Sequence, residues 1–354
     1  MILNSGEGHA TIYSYMEYYL GLDIGSINVK LALIGESGSA LYFDTKRITS
    51  NPKEVVNFLL NRLNQRFNLG KIAAVGLSGS GKTMVPKDFH WAEFSSSLSI
   101  ATGLLHSHPD ARTIIQIGGH SSMVIGLEDG LQEPWKVASN SLCAAGTGLF
   151  LEQQAYRLGI SLEDFTSLAL KQNGNPPRVA ARCSVFAKSD LIHLQQKGVP
   201  IEAMCYALCE SIARMVVSQR KGVCEEPVYF VGGVAANAAI LKAIETVLSA
   251  KNGRQVQVNV PENHFYLESL GAALLSRGKH AQVIILPETE VKQRYFEMPG
   301  LVKFPVPVNK INKIVNNTCK GYLGIDVGST STKAVIVDES GKEILAKNYL
   351  MTAG

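Results

Sequence analysis

The chain repeats its own opening. Tyr19-Leu20-Gly21-Leu22-Asp23-Ile24-Gly25-Ser26 returns as Tyr322-Leu323-Gly324-Ile325-Asp326-Val327-Gly328-Ser329. The echo runs on through Lys30 and Lys333, then through Glu36-Ser37-Gly38 and Glu339-Ser340-Gly341. Copies this far apart exclude a solenoid and mark a duplicated domain. The second copy holds only an opening, with two expected strands, too short to bury a core of its own. Its exposed edges must be mobile, pair elsewhere or belong to a longer protein. The repeat therefore divides the chain into a module over about 19–282, a Pro-rich linker over 283–320 and the start of a second module over 321–354.

Within the first module strand and helix patterns alternate. Tyr19–Leu22, Lys30–Gly35 and Leu41–Lys46 read as strands around tight turns, and Pro52–Phe67 has helical periodicity. Ile72–Leu77, Thr113–Ile117 and Val228–Val231 are short apolar runs, as buried strands are. Met123–Leu127 followed by Glu128-Asp129-Gly130 suggests a hairpin. Leu149–Leu158, Val185–Gln196, Ile201–Val217 and Asn237–Leu248 read as helices. Strands, a helix and more strands, occurring twice, predict an α/β fold of two similar halves, about 19–112 with 262–282 and about 113–261.

Composition narrows the class. With 354 residues, 46% hydrophobic and 18% charged, the chain can bury one or two domains. A net charge of +4, with acids and bases interleaved, gives no nucleic-acid surface. Six cysteines at irregular spacing are no secreted disulfide framework, and no CxxC pair suggests a zinc knuckle. Met1 to Tyr19 lacks a basic start followed by an apolar run, and no segment reaches the roughly 20 apolar residues of a membrane span. A reducing cytoplasm is the expected setting.

Three glycine turns are candidates for the chemistry, although each taken alone also fits an ordinary tight turn or close packing of strand ends. Asp23-Ile24-Gly25-Ser26 lies between two strands, where glycine lets backbone approach a phosphate and Asp23 can hold Mg²⁺ through water. Ile117-Gly118-Gly119-His120 follows a second strand, with Gln116 before it and His120 placed to donate to phosphate. Val231-Gly232-Gly233-Val234-Ala235 follows a third and leads into the helix at Asn237. A rival also stands in the chain: Gly76-Leu77-Ser78-Gly79-Ser80-Gly81-Lys82-Thr83 fits GxxxxGK[ST], which as a P-loop must run into a helix with Lys82 on the phosphates. Pro86 follows closely, and the alternative is a glycine-rich turn beside the nucleotide cleft.

Two cysteines open helices. Cys143 starts the run Cys143-Ala144-Ala145-Gly146-Thr147-Gly148, and Cys183 starts Cys183-Ser184-Val185-Phe186-Ala187-Lys188. Helix N-termini present free N–H groups and partial positive charge, which suit a ligating thiolate. Two thiolates are too few for a cubane, which takes four, but a symmetric dimer supplies two pairs around one axis. Cys205 and Cys209, one turn apart, read as core cysteines. Cys224 and Cys319 lack partners at useful spacing, and His106 and His108 read as solvated loop residues.

The three turns in this order resemble the phosphate and adenosine loops of the actin, sugar-kinase and heat-shock ATPase superfamily, which clamps ATP between two ribonuclease-H-like subdomains. With the cysteines added, the chain resembles the ATP-dependent activators of 2-hydroxyacyl-CoA dehydratases and the ATPase subunits of benzoyl-CoA reductase. The matching stretches are Leu20–Lys30, Ile117–Gly119, Asn140–Glu152, Cys183–Gly198, Val231–Asn237 and Leu270–Leu274. The resemblance implies a homodimer with one [4Fe–4S] cluster at its interface, held by Cys143 and Cys183 of each copy. It implies ATP and Mg²⁺ in the cleft, contacted by Gly25, Ser26, Lys30, Gly118, Gly119, Gly146, Thr147, Gly148, Gly232, Gly233 and Asn237. Asp23, Gln116 and His120 then fall at the reacting phosphate. It further implies a ferredoxin or flavodoxin as electron donor and a dehydratase or reductase as acceptor.

The chain also departs from that pattern. The family usually carries an acid where Gln116 stands, and Gln-Asp with a lysine two residues further where His120-Ser121-Ser122-Met123 stand. Ile27-Asn28 replace the usual threonines of the first loop, while Asp326–Lys333 keeps the Ser-Thr-Ser-Thr-Lys form. Slow hydrolysis by the first module is the expected consequence. Two other readings stay open: a small-molecule kinase of the same superfamily, and a catalytically weakened regulatory protein.

Overall fold

The computed structural model describes residues 17–49, 51–85, 90–127, 136–140, 146–181, 183–279, 320–327 and 331–351. They fall into two units, 1–288 and 289–354. Cys143, the hairpin turn at 128–130 and all of the linker but Lys320 lie outside the described residues.

The first unit is built on two sheets. One holds β1 (Tyr18–Ile24), β2 (Asn28–Gly35), β3 (Ala40–Arg47), β4 (Ile72–Ser78) and β5 (Ala92–Glu93), in the order β3-β2-β1-β4-β5. The other holds β6 (Thr113–Ile117), β7 (Ser122–Gly126), β8 (Lys136–Asn140), β9 (Val228–Val231) and β10 (Val258–Asn259), in the order β10-β9-β6-β7-β8. Each is an antiparallel meander extended by two parallel strands on the far side of its first strand. The same topology twice is the doubled α/β fold that the strand pattern predicts.

Among the described residues, eight helices complete the unit: α1 (Pro52–Asn64), α2 (Ser96–Leu105), α3 (Gly148–Arg157), α4 (Leu162–Leu170), α5 (Ser184–Gln196), α6 (Ile201–Val217), α7 (Ala238–Asn252) and α8 (Leu267–Ser276). α1 starts at Asn51, whose side chain accepts from Lys53 N–H, with Pro52 in the first turn where its missing N–H costs nothing. Val55, Val56, Leu59, Leu60 and Leu63 form its buried stripe against the first sheet. α6 is buried on nearly every side, Cys205 and Cys209 included, and it centres the core of the second half. Burial pushes the Cys205 thiol up to about 12 and Cys209 higher still, so both are inert core residues.

α8 lies flat on the first sheet because that sheet has glycines beneath it. Gly21 and Gly76 are side-by-side partners on β1 and β4. A Cβ on Gly21 would sit 1.8 Å from Ser269 O, and one on Gly76 2.0 Å from Ala272 O. The glycine of the opening repeat is thus a helix seat.

The second unit is a meander of β11 (Gly321–Val327), β12 (Ser331–Asp338) and β13 (Ile344–Met351), one strand more than the sequence pattern suggests. Asp326 faces Lys333 across the ladder with 3.0 Å between charges, as Asp23 faces Lys30 at 2.8 Å in the first unit. The repeat in sequence is therefore a repeat in register and in ion pair.

Candidate nucleotide site

The loops at the strand ends meet around one cleft of about 590 Å³ in the first unit. Of the residues singled out in the sequence, Asp23, Gly25, Ser26, Lys30, Gln116, Gly118, Gly119, His120, Gly148, Gly233 and Asn237 line it. Gly146, Thr147 and Gly232 stand behind the wall. Gly146 has φ +81° and packs its turn on Met215, where a Cβ would meet Met215 Cε at 1.6 Å. Thr147 is buried at the N-cap of α3. Gly232, at φ +94°, bonds through its N–H to His264 O, while its own carbonyl contacts His264 Nδ1.

The first loop turns tightly, with Gly25 N–H donating to Asn28 O at 3.0 Å. The second loop closes by a bond from Gly118 N–H to Ser121 O at 2.8 Å. His120 Nδ1 and Ser26 Oγ share a hydrogen bond of 2.8 Å, so the histidine joins the two loops. The carbonyls of Gly118 and Gly119 accept from Gly148 and Leu149 N–H at 2.9 and 3.0 Å, which ties the second loop to the first turn of α3. Asn237 caps α7, its Oδ1 accepting from Ala239 and Ile240 N–H, while its Nδ2 donates to Thr166 Oγ1 at 2.7 Å. Leu162, Glu163 and Thr166 of α4 add a wall on that side.

Charge concentrates at the floor. Lys30 Nζ sits 2.8 Å from Asp23 Oδ2 and 4.7 Å from the centre of the Phe265 ring. Burial disfavours the Lys30 charge, but attraction to Asp23 and Glu268 outweighs it and holds its pKa above the usual value. Glu268, in the first turn of α8, is the residue that sequence reasoning missed. Ser78 Oγ donates to its Oε1 at 2.8 Å from 190 residues away, so no local motif could announce it. Burial first, then repulsion from Asp23, push its carboxyl up to about 7, against the opposing pull of Lys30 and of hydrogen bonds from Ser96 and Ser78.

The GxxxxGK[ST] run is not a P-loop. β4 ends at Ser78 and is followed by a 3₁₀ turn, Lys82–Met84, not an α-helix. Lys82 Nζ donates to Phe94 O at 3.0 Å, and Gly81 N–H to Ile24 O at 2.8 Å. Gly79 and Ser80 reach the cleft, so the run is a glycine turn strapped to the first loop.

Cys183 is a free, half-buried cysteine at the N-cap of α5. Val185 and Phe186 beside it are 67% and 66% exposed. Among the described residues no three His, Cys, Asp or Glu side chains gather into a metal site, and no helix is long and apolar enough to cross a membrane.

Comparison with known proteins gives the same direction. The activator of lactoyl-CoA dehydratase from Anaerotignum propionicum is 28% identical over 73% of this chain and 96% of its own length. The activator of 2-hydroxyisocaproyl-CoA dehydratase from Clostridium difficile, solved with bound ADPNP, matches at TM-score 0.63 and 28% identity over 73% of this chain and 94% of that one. The (R)-2-hydroxyglutaryl-CoA dehydratase component A of Acidaminococcus fermentans matches at the same score and identity, over 73% of this chain and 97% of its own. The chain spans 62% of the length of a further relative, the uncharacterized protein MJ0800 of Methanocaldococcus jannaschii, at 28% identity. The model of the BadF/BadG/BcrA/BcrD ATPase family matches residues 20–276, and the chain belongs to that family.

Proposed function

We propose that this chain is an ATP-dependent activator that passes a low-potential electron to a 2-hydroxyacyl-CoA dehydratase or a related CoA-ester reductase. The observation that carries the reading is the pair of backbone hydrogen bonds from α3 to Gly118 and Gly119. In this reading, a phosphate that moves the second loop pulls on the first turn of α3, to which the loop is bonded. The cleft is thus joined to the start of α3 through main chain.

The residues fit the groups that this function needs. Asp23 offers a carboxylate to the hydration shell of Mg²⁺, and Gln116 Oε1, buried with no hydrogen-bond partner, offers a second hard oxygen. Cys183 fits as one thiolate of a group shared between copies, with Cys143 as the second. The exposed Val185 and Phe186 around it suit a face covered by a second copy of the chain. A [4Fe–4S] cluster there supplies a one-electron couple. The chain's own part is to hold nucleotide, set the angle of α3 and α5, and exclude water. A ferredoxin or flavodoxin is the donor in this reading, and the cytoplasm the setting.

Iron and acid-labile sulfide per dimer, measured on protein purified without oxygen, test the proposal. About four irons are expected, lost in Cys143→Ala and in Cys183→Ala. Glu268 keeps a second reading in view, because a small-molecule kinase needs a carboxylate in this cleft. No iron after reconstitution, with ATP still bound, overturns the electron-transfer reading and leaves that kinase or a regulatory nucleotide-binding protein.

A further inference from the structure

The floor of the cleft holds two carboxylates and one lysine. Asp23 is 2% exposed and paired with Lys30 at 2.8 Å. Glu268 lines the same cleft, held by Ser78 at 2.8 Å and by Ser96, and it attracts Lys30 while repelling Asp23. Much of the glycine-rich run at the end of β4 serves this cluster. Ser78 is fully buried and donates to Glu268. Gly79 has φ +88°, and a Cβ there would sit 2.6 Å from Asp23 Oδ1. The run that imitates a P-loop is a bracket between Asp23 and Glu268.

Such a cluster sets the ammonium against Asp23 and within the electrostatic reach of Glu268, which lines the same cleft. In this structure it rests on Asp23. With a magnesium ion bound beside it, Asp23 would turn its charge to the metal's hydration shell, and Lys30 would lose its partner. The Lys30 side chain is only 15% exposed, so an unpaired ammonium there carries a heavy desolvation cost. The carboxylate positioned to remove that cost is Glu268.

We propose that Glu268 is a positioning residue of the nucleotide site: it receives Lys30 from Asp23 when magnesium-nucleotide binds, which frees Asp23 for the metal and keeps the ammonium at the phosphate end of the cleft. This assignment rests on the reading of the cleft as a magnesium–ATP site. Packing alone does not call for a carboxylate tethered by two serines from separate elements and open to the cleft on one side.

The test is the affinity of the whole chain for ATP with magnesium and with chelator, by calorimetry at pH 8. In the parent, magnesium tightens ATP. In Glu268→Gln that gain shrinks by about tenfold, while affinity in chelator stays within about threefold. Glutamine keeps an acceptor for Ser78 and removes a buried charge, so its melting temperature holds or rises. Glu268→Asp, which keeps the charge, retains most of the gain and serves where the glutamine variant folds poorly. In a Lys30→Met background Glu268→Gln has no further effect, because the residue acts through the lysine. An unchanged magnesium gain in Glu268→Gln overturns the assignment, as does an equal loss with Lys30 already removed. A parent that binds no ATP in either buffer sinks the nucleotide reading itself, which is a different failure.

Discussion

Gln116 is the residue whose chemistry the cleft leaves unfinished. It lies near the end of β6 at 7% exposure, and among the described residues its Oε1 has no hydrogen-bond partner. A buried acceptor without a donor is a cost that a bound ligand can repay, and an aspartate there would offer a full charge to magnesium and to the attacking water. Gln116→Asp is therefore expected to raise the ATP hydrolysis rate of this chain on the order of tenfold to a hundredfold. The same change lowers stability without nucleotide by about 1–3 kcal/mol, because a carboxylate is harder to bury than an amide. Steady-state hydrolysis and urea unfolding with and without MgATP check both signs, and an unchanged rate would sink this account of Gln116. At this scale the sequence shows Asp23, Gly25, Gly118, Gly119 and Gly233, since each sits in a short glycine motif at a strand end, where a turn toward the cleft is legible. It does not show Glu268, Phe265 or Thr166. Those reach the cleft from helices and a late loop that only the assembled fold brings near.

Helix α8 shows how an element is fixed by packing rather than by propensity. Its segment is short, holds two serines and Gly271, and carries no amphipathic run long enough to declare a helix. Its stability comes from contact with bare backbone on two sides. Gly21 and Gly76 seat it on the sheet, and a Cβ on Gly271 would lie 1.7 Å from Ser99 O of α2. Gly103 makes the reciprocal approach, with 2.2 Å to Leu267 O. Gly271→Ala must part the two helices, and a loss of about 3 kcal/mol in urea unfolding is expected. Because the displaced helix carries Glu268, the variant should also lose the magnesium-dependent part of ATP binding. A cost near zero would mean that α2 and α8 are not in backbone contact. Elements with a strong periodic signal are legible by contrast. β6, α6 and β9 fall where their apolar patterns put them, while α2 and α4 do not announce themselves. The GxxxxGK[ST] run misleads for a related reason: a short motif describes a loop, but whether a helix follows depends on what the next residues can pack against.

At the scale of the molecule, the first unit has two private cores and one shared core. The first sheet packs on α1, and the second sheet on α3 to α7. The third core draws Ala32 and Ile34 from β2, Ile114 from β6, Tyr229 and Val231 from β9, and residues of α2 and α8 into one cluster. The halves are thus welded at the base, around α2 and α8, and meet across the cleft through light contacts. Ser26–His120 is one, and Arg47–Glu152 at 3.1 Å is another, with side chains 57% and 39% exposed. Exposed pairs of this kind contribute at most about 1 kcal/mol each, so the cleft can open while the base stays packed. A unit of this size with two separate cores could unfold in two steps, yet the shared core makes each half the support of the other. Calorimetry of the chain should therefore show one main transition for both halves, with van't Hoff and calorimetric enthalpies in agreement. ATP with magnesium at roughly a hundredfold excess over Kd should move that whole transition, adding about 2.7 kcal/mol, because the ligand touches loops of both halves. Two transitions, with only one shifted by nucleotide, would show that the shared core does not couple the halves. The path from the cleft to α3 would then have to work within the second half alone.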